Sequence, residues 1–356
     1  MIPNIPWRKS IVPFADEAIA SIVIRLAPEG LTSVKNFKRN HLNLPYISVG
    51  SIGGQPEVWK ELAIVGSFDI SDLERRAWNR RGDKTFFLGR ALPVGWFDQE
   101  RRRIAPSVLL SDGADPWIRN SWLIRAFTCD PTSGETILDR CPECHVQLGW
   151  VNLEHVWQCD KCGFDLRMTK PTYGSAKELS VIRELADFFQ GNRLPLPDVF
   201  ANLADIDLLK LLGWFAYFCG LPDQMLLSPS ATNAVDGYRA IKGWPHTFDS
   251  VVRDLITGLA QASGTSDLLV RTQLMMRFTV SIDRLTTDAG RVLIRNRLAE
   301  LFQVPKDHVS CYKKFFEPVM NFSGSIKRYE WPAPPTIEVM RSNHERARLI
   351  PRASKT

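Results

Sequence analysis

The chain has 356 residues, of which 44% are hydrophobic and 24% charged, the balance of an ordinary soluble globular protein of two or three domains. Arg8-Lys9 is followed by too few apolar residues for a signal peptide, and the most apolar run, Leu211 to Leu221, is far short of the ~20 residues that cross a bilayer. The formal charge of +6 is unevenly placed, with 14 Lys and Arg against 7 Asp and Glu in residues 284–356.

Residues 1–12 read as an extended lead-in. Asp16 is placed to cap a helix whose apolar positions Ile19, Ile22, Val23 and Leu26 recur at i, i+3, i+4 and i+7, with Pro28-Glu29-Gly30 as its end. Thr32-Ser33 opens a second short helix through Phe37. A third helix covers Glu57 to Val65, and a fourth starts at Ile70 and carries Leu73, Ala77 and Trp78. Short helices with tight turns predict a helix-turn-helix-like N-terminal domain over residues 1–100. Within it, Gly50-Ser51-Ile52-Gly53-Gly54 is glycine-rich but lacks dinucleotide-binding spacing and a βαβ unit. Arg75-Arg76, Arg80-Arg81 and Arg101-Arg102-Arg103 form charge clusters, each of which reads more readily as a solvated face than as a nucleic-acid contact.

Residues 101–170 hold the strongest motif. Cys141-Pro142-Glu143-Cys144 and Cys159-Asp160-Lys161-Cys162-Gly163 are two Cys-x-x-Cys pairs, fourteen residues apart, spaced to bring four thiolates around one structural zinc ion. Gly163 suits the left-handed backbone after the second pair. Val146 to Trp150 and His155 to Gln158 alternate apolar and polar, like the arms of a short hairpin, which makes this region a small β zinc ribbon. Two disulfides or a redox dithiol are the alternatives; nothing marks the chain as secreted and no βαβ pattern surrounds the pairs. Cys141, Cys144, Cys159 and Cys162 close the coordination shell, so the metal is expected to hold structure and not to do chemistry. His145 and His155 are alternative ligands in a variant geometry, with the surface of the ribbon as their expected place. Cys129, Cys219 and Cys311 are scattered, which fits a reducing cytosol.

Lys170 to Ser175 looks like a linker into a C-terminal all-helical domain over 171–332. Glu178 to Phe189 is amphipathic. Pro195 and Pro197 precede a helix from Ile206 to Cys219 that is apolar nearly all round and therefore expected to be buried. Pro245 opens Phe248 to Leu259, and Leu268 to Leu285 follows a polar turn. Asp288 is placed to cap Arg291 to Phe302; a short turn through Pro305 then leads into His308 to Phe315, giving a candidate helix-turn-helix. The candidate phosphate contacts are Arg291, Arg295, Arg297, Lys306, Lys313 and Lys314. Residues 333–356 read as a basic tail ordered by a partner. The fold class expected is thus mostly α, with a small β zinc ribbon between two helical domains.

No P-loop, His-Glu-x-x-His or Gly-x-Ser-x-Gly motif occurs. Separated carboxylates such as Asp69, Asp205, Asp207 and Glu300 are candidates to meet around two magnesium ions, but nothing selects a catalytic set from 39 acidic residues. The expectation is a protein that is not an enzyme.

Taken together, several segments resemble the TniQ family of transposon target-selection proteins, which includes TnsD. Pro13, Glu17, Ser21 and Arg25-Leu26-Ala27 match the family's opening pattern. Pro116-Trp117-Ile118-Arg119, Trp122 and Leu138-Asp139-Arg140-Cys141-Pro142-Glu143-Cys144 resemble its zinc region. Gly163-Phe164-Asp165-Leu166 resembles the close of that region, and Gly243-Trp244-Pro245 with Phe248 resembles a C-terminal element. The family usually carries another zinc site ahead of the ribbon. Here the corresponding positions read Ala105-Pro106-Ser107-Val108 and Cys129-Asp130-Pro131-Thr132, so only Cys129 remains of four ligands. That subdomain is expected to hold no metal and to rest on packing of Val108, Leu109, Trp117, Trp122 and Phe127.

The resemblance implies an adaptor in a bacterial cytoplasm. It would link a target, either a DNA site or an RNA-guided CRISPR complex, to the transposon's AAA+ ATPase, with one structural zinc ion as its cofactor and no membrane contact. A homodimer is left open. A zinc-ribbon transcription regulator is the rival binding module, and a magnesium-dependent nuclease or strand-transferase the rival enzyme.

Overall fold

The computed structural model describes residues 11–44, 46–82, 84–93, 95–151, 153–219, 234–263 and 288–302. The expected helix Leu268 to Leu285, the second helix of the candidate helix-turn-helix, the basic tail and the lead-in before residue 11 lie outside them. The chain divides into two compact units, one of residues 1–251 with 285–291 and one of 252–284 with 292–356. The described residues are mostly helical, with one small antiparallel sheet among them. Among the described residues no helix is long and apolar enough to cross a membrane.

The first unit begins with α1 (Ile19–Glu29), α2 (Val34–His41), α3 (Pro56–Gly66) and α4 (Ile70–Arg76). Ser33 caps α2 and Asp69 caps α4, each side chain accepting a backbone N–H of the first turn. The expected cap of α1 is different: Ala18 occupies that position without a side-chain bond, and Asp16 instead accepts the hydroxyl of Ser121 at 2.8 Å. A tertiary partner has taken the carboxylate that the local pattern assigned to the helix.

The fourth helix ends two residues earlier than its expected extent through Trp78. Trp78 opens β1 (Trp78–Arg81), which pairs antiparallel with β2 (Lys84–Phe87), itself paired with β3 (Arg90–Pro93). Leu88 and Gly89 both have positive φ, which matches a two-residue hairpin turn whose twist suits the strands. Buried Phe87 and half-buried Trp78 pack on Phe97, with ring centroids 4.4 and 5.6 Å away. The sheet therefore lies outside the ribbon, where the sequence placed the β structure.

The glycine-rich stretch is a seat for tryptophans. A Cβ on Gly54 would stand 2.5 Å from the Trp78 ring, and one on Gly50 would stand 2.0 Å from the Gln99 carbonyl and 2.6 Å from Trp150. Gly50 and Gly54 are thus glycine for closeness of approach, and the stretch brings a ribbon tryptophan and a sheet tryptophan onto one backbone segment.

Two of the motif segments are each other's partners. The buried Glu17 carboxylate accepts the Ser21 hydroxyl at 2.8 Å, Arg25 Nη1 at 2.6 Å and the Phe14 N–H at 3.1 Å, and Arg25 lies over the Phe14 ring. Spacings of four and eight residues place Glu17, Ser21 and Arg25 along one side of the chain entering and following α1. Ser21 then accepts the N–H of Ile118 at 3.1 Å, while the N–H of Ala18 reaches the Ile118 carbonyl at 2.9 Å and that of Asn120 reaches Asp16 O at 2.7 Å. Arg119 grips Asp112 through two contacts of 2.6 and 2.7 Å and lies over both Trp117 and Trp122. These bonds cross residue 100, the expected edge of the N-terminal domain.

The Lys170 to Ser175 stretch is likewise tied down. Thr136 N–H donates to Thr172 O at 2.8 Å and Gly174 N–H to Gly134 O at 3.0 Å, so the expected linker runs as a strand-like partner to residues 134–136. Ser175 caps α6 (Ala176–Phe189), and α7 (Asp205–Cys219) and α8 (Ala234–Lys242) follow. Leu208, Leu209, Leu211, Leu212, Trp214 and Phe215 of α7 are all buried, as an all-round apolar helix requires. Arg90 of β3 pairs with Asp205 and lies over the Phe188 ring, joining sheet, α6 and α7. Phe215, Trp244 and Phe248 meet in one aromatic group. α9 (His246–Ser263) and α10 (Asp288–Phe302) complete the described helices, and the described buried side chains of the second unit are Val252, Ile256, Ile294, Leu298 and Ala299.

Burial pushes the Glu17 carboxyl above its ordinary range, and Arg25, Ser21 and the Phe14 N–H pull it back. Removing the cation leaves that burial uncompensated. Arg25→Ala should lower unfolding stability in a urea titration by about 3–5 kcal/mol, the usual consequence of stranding one partner of a buried pair; a loss under ~1 kcal/mol would mean that the network does not hold α1 in place.

Candidate metal centre

Each Cys-x-x-Cys pair folds into the same knuckle. In the first, the Cys141 N–H donates to Val146 O at 2.9 Å and the His145 N–H returns to Cys141 O at 2.9 Å. In the second, Cys159 N–H donates to Phe164 O at 2.9 Å and Gly163 N–H to Cys159 O at 3.0 Å. The residue after each second cysteine is left-handed, Gly163 at φ +77° and His145 at φ +58°. Glycine adopts this at little cost; a histidine in the same position accepts strain so that the first knuckle closes in the same way. That role of His145 is invisible to spacing alone.

The β pairing of the ribbon differs from the expected hairpin. Arg140 bridges Gln147 across the first knuckle and Gln158 bridges Asp165 across the second. Gln147 and Gln158 therefore belong to two separate small hairpins, not to the two arms of one. The alternation predicts two paired arms, but His155 to Trp157 runs through a bend and a turn, with the Gln158 N–H returning to His155 O at 3.2 Å, and only Gln158 joins the second hairpin; the tight turns are the knuckles themselves. Leu148, Trp150, Leu153, Val156 and Leu166 are buried beneath them.

The two knuckles bring Cys141, Cys144, Cys159 and Cys162 together, with all four sulfurs within 4.8 Å of one another. Cys141 Sγ lies 3.7 Å from Cys162 Sγ, and Cys144 Sγ lies 3.8 Å from Cys159 Sγ. A tetrahedron with metal–sulfur bonds of ~2.3 Å has sulfur–sulfur edges of ~3.8 Å, so these approaches are those of ligands around one ion. They are also far longer than a disulfide bond, and the close pairs join different knuckles. The cluster can hold one metal ion. Among the described residues it is the one group of three or more His, Cys, Asp or Glu side chains so placed.

The sulfur environments differ from one cysteine to the next. Burial pushes the Cys141 thiol up to about 12, against the N–H groups of Cys144 and Glu143 that aim at its sulfur. Cys159 is buried too, which alone would raise it, but the N–H groups of Cys162 and Lys161 outweigh burial and bring it to about 7. His145 and His155, the alternative ligands, are both exposed; His155 stacks on Trp157 at 4.8 Å, and Arg167 covers Trp157 at 4.0 Å.

The segments 105–108 and 129–132 are held by carboxylates. Glu135 is fully enclosed and accepts Ser107 N–H at 3.0 Å, Ser107 Oγ–H at 2.6 Å and Val108 N–H at 3.2 Å, at the start of α5 (Pro106–Ser111). Buried Asp130 accepts Trp122 Nε1–H at 2.9 Å together with the N–H groups of Thr132 and Ser133. Packing of Leu109, Trp122 and Phe127 accompanies them, all buried; Val108 and Trp117 are half-buried. Cys129 is enclosed, and burial, helped by the carboxylates of Glu178 and Asp130, pushes its thiol up to about 11, the setting of an inert thiol. Sequence reading missed Glu135 and Asp130, since acidic residues spaced like these occur throughout the chain.

The candidate phosphate contacts divide. Arg291, Arg295 and Arg297 stand on α10 and are half-buried, and Arg297 pairs with Glu300 at 2.8 Å. Lys306, Lys313 and Lys314 lie outside the described residues. Of the candidate acidic set, Asp69 is spent on the cap of α4 and Asp205 on Arg90. The arginine clusters separate sharply: Arg76, Arg102 and Arg103 are buried, whereas Arg75, Arg80 and Arg81 are exposed.

Elemental analysis of the purified chain should find about one metal ion per molecule, in line with one four-cysteine site. Cys159→Ser/Cys162→Ser should lose it, and Cys129→Ser should keep it. Full metal content in the double variant, or a second ion lost with Cys129→Ser, would contradict the assignment.

No family model and no curated protein matches the chain.

Proposed function

We propose that the cluster holds zinc and that the protein is a TniQ-like adaptor in DNA transposition. It would link a target DNA site or an RNA-guided CRISPR complex to a AAA+ ATPase. The observation that carries the reading is the joining of two resembling segments. Pro13 to Ala27 and Pro116 to Trp122 are hydrogen-bonded to one another, and the second leads through residues 138–140 into the four-cysteine ribbon. Motifs that met by chance would have no reason to be mutual partners. Zinc suits four thiolates in a closed tetrahedron, which leaves no position for substrate or water and assigns the ion a structural role.

An adaptor works by docking, and the described surface limits where. α1 is almost entirely enclosed and cannot itself present a face. Trp78 is seated on Gly53 and Gly54, and Trp59 donates its Nε1–H to Ile52 O at 3.3 Å, so both belong to the packing more than to a free surface. An ATPase contact through this part therefore falls to side chains left outside, such as Leu31, Tyr46 and Ile64. Phosphate contact is assigned to the basic end, with Arg291, Arg295, Arg297, Lys306, Lys313 and Lys314. The nuclease alternative is weakened by the engagement of Asp69 and Asp205 elsewhere; the transcription-regulator alternative keeps the same zinc ribbon and needs a defined operator.

The test is to look for a AAA+ ATPase gene beside this one, to pull down that ATPase with the purified chain, and to run a transposition assay with this gene deleted. Co-purification and loss or redirection of insertion are expected. Unchanged insertion frequency and target choice, or DNA cleavage by the purified protein with magnesium alone, would overturn the adaptor reading.

A further inference from the structure

The Arg101-Arg102-Arg103 run looks like one basic patch in sequence, yet the fold treats its members differently. Arg101 is 42% exposed and pairs with Asp98 at 3.3 Å. Arg103 is enclosed, and its guanidinium is accounted for by the carbonyls of Trp122, Ile124 and Phe127 at 2.9, 2.7 and 2.5 Å. Arg102 is fully enclosed as well, but its Nη2 has only the Gln158 carbonyl at 2.5 Å and the Asp160 carboxylate at 3.8 Å. Its Nε and Nη1 are buried without a hydrogen-bond partner.

A buried guanidinium costs several kcal/mol unless a compensating charge stands nearby. Asp160 supplies that only in part, since it also accepts the Gly149 N–H at 3.0 Å. Gln158 and Asp160 flank the ligand Cys159, so Arg102 is anchored on both sides of a sulfur of the cluster. Four thiolates around a divalent ion carry a net charge of two minus, and Cys141 and Cys159 are enclosed. A cation expensive to bury alone is thus bonded to the residues on either side of a ligand of a centre that would be a buried dianion.

We infer that Arg102 is the buried countercharge of the metal–tetrathiolate centre, a positioning residue that sets its metal affinity. The inference rests on the metal reading of the four cysteines. The same guanidinium, through Gln158 O, holds the second knuckle against the chain at residue 102, whose own N–H donates to Leu148 O at 3.0 Å beside the first knuckle. Arg102 therefore touches both halves of the ribbon.

The experiment uses the full chain and zinc itself, with competition against a chromogenic chelator and thermal melts recorded with and without bound zinc. Arg102→Met keeps length and apolar packing but removes the charge, and should weaken zinc binding roughly tenfold to a hundredfold, the range for residues that support metal ligands. Arg102→Lys should recover part of that loss, and the melting penalty of Arg102→Met should be larger with zinc than without. Asp160→Asn, which removes a competing negative charge, should leave zinc affinity unchanged or tighter, and it decides the matter if Arg102→Met does not fold. Affinity within twofold of the parent in Arg102→Met, equal penalties with and without zinc, or tenfold weaker binding in Asp160→Asn would overturn the role. Absence of zinc binding in the parent chain would instead overturn the metal reading on which it stands.

Discussion

Four cysteine sulfurs within 4.8 Å of one another are the constraint on which the ribbon turns. Between residues 141 and 168 the described chain contains a single 3-10 turn and no strand of its own, so regular backbone pairing cannot hold it. Its apolar contribution is five buried side chains under two knuckles. That is a small core, and segments of this size are normally fixed by metal or disulfides. The sulfurs stand at the edge lengths of a metal tetrahedron and not at bonding distance, which makes the metal the natural fixing element.

The ribbon does not stand apart from the helices. Trp150 leaves it to sit on Gly50, Arg102 enters it from the preceding segment, and residues 134–138 connect the carboxylate-held subdomain to it. That subdomain follows a different principle. Glu135 gathers Ser107 and Val108, and Asp130 gathers Trp122, Thr132 and Ser133, so two buried acids organise backbone and side-chain donors. Carboxylate-to-amide bonds of this kind are stronger than neutral ones and need no ion. Two adjacent subdomains, one of thiolates and one of carboxylates, thus close knuckle-like turns by unlike chemistry.

Legibility followed the range of the interaction. The four-cysteine cluster is legible because metal spacing is local, and α7 is legible because an all-round apolar helix has one destination. Ser33, at the start of the second short helix, is a cap in a position that short-range pattern specifies, whereas Asp69, named only among the separated carboxylates, proves to cap α4. Asp16 was misjudged because its partner, Ser121, lies 105 residues away. The β1–β2–β3 meander carries the turn signals Gly82 and Leu88-Gly89, but Lys84-Thr85-Phe86-Phe87 does not alternate apolar and polar, and the helical pattern of α4 runs on over the strand that Trp78 opens. Arg76, Arg102 and Arg103 were unreadable in principle, since charge runs look alike until burial separates them. The expected hairpin of the ribbon failed for a topological reason: each knuckle makes its own hairpin, and alternation does not say which neighbour a segment pairs with.

The most direct test of the account is X-ray absorption at the zinc edge of the purified full-length protein. The account predicts a single zinc environment of four sulfur neighbours at ~2.3 Å and no light-atom ligand in the first shell. A shell with one or two nitrogen or oxygen neighbours would bring His145 or His155 into the site, and a mixed signal from two environments would place a second ion elsewhere. Either result would contradict a ribbon closed by Cys141, Cys144, Cys159 and Cys162.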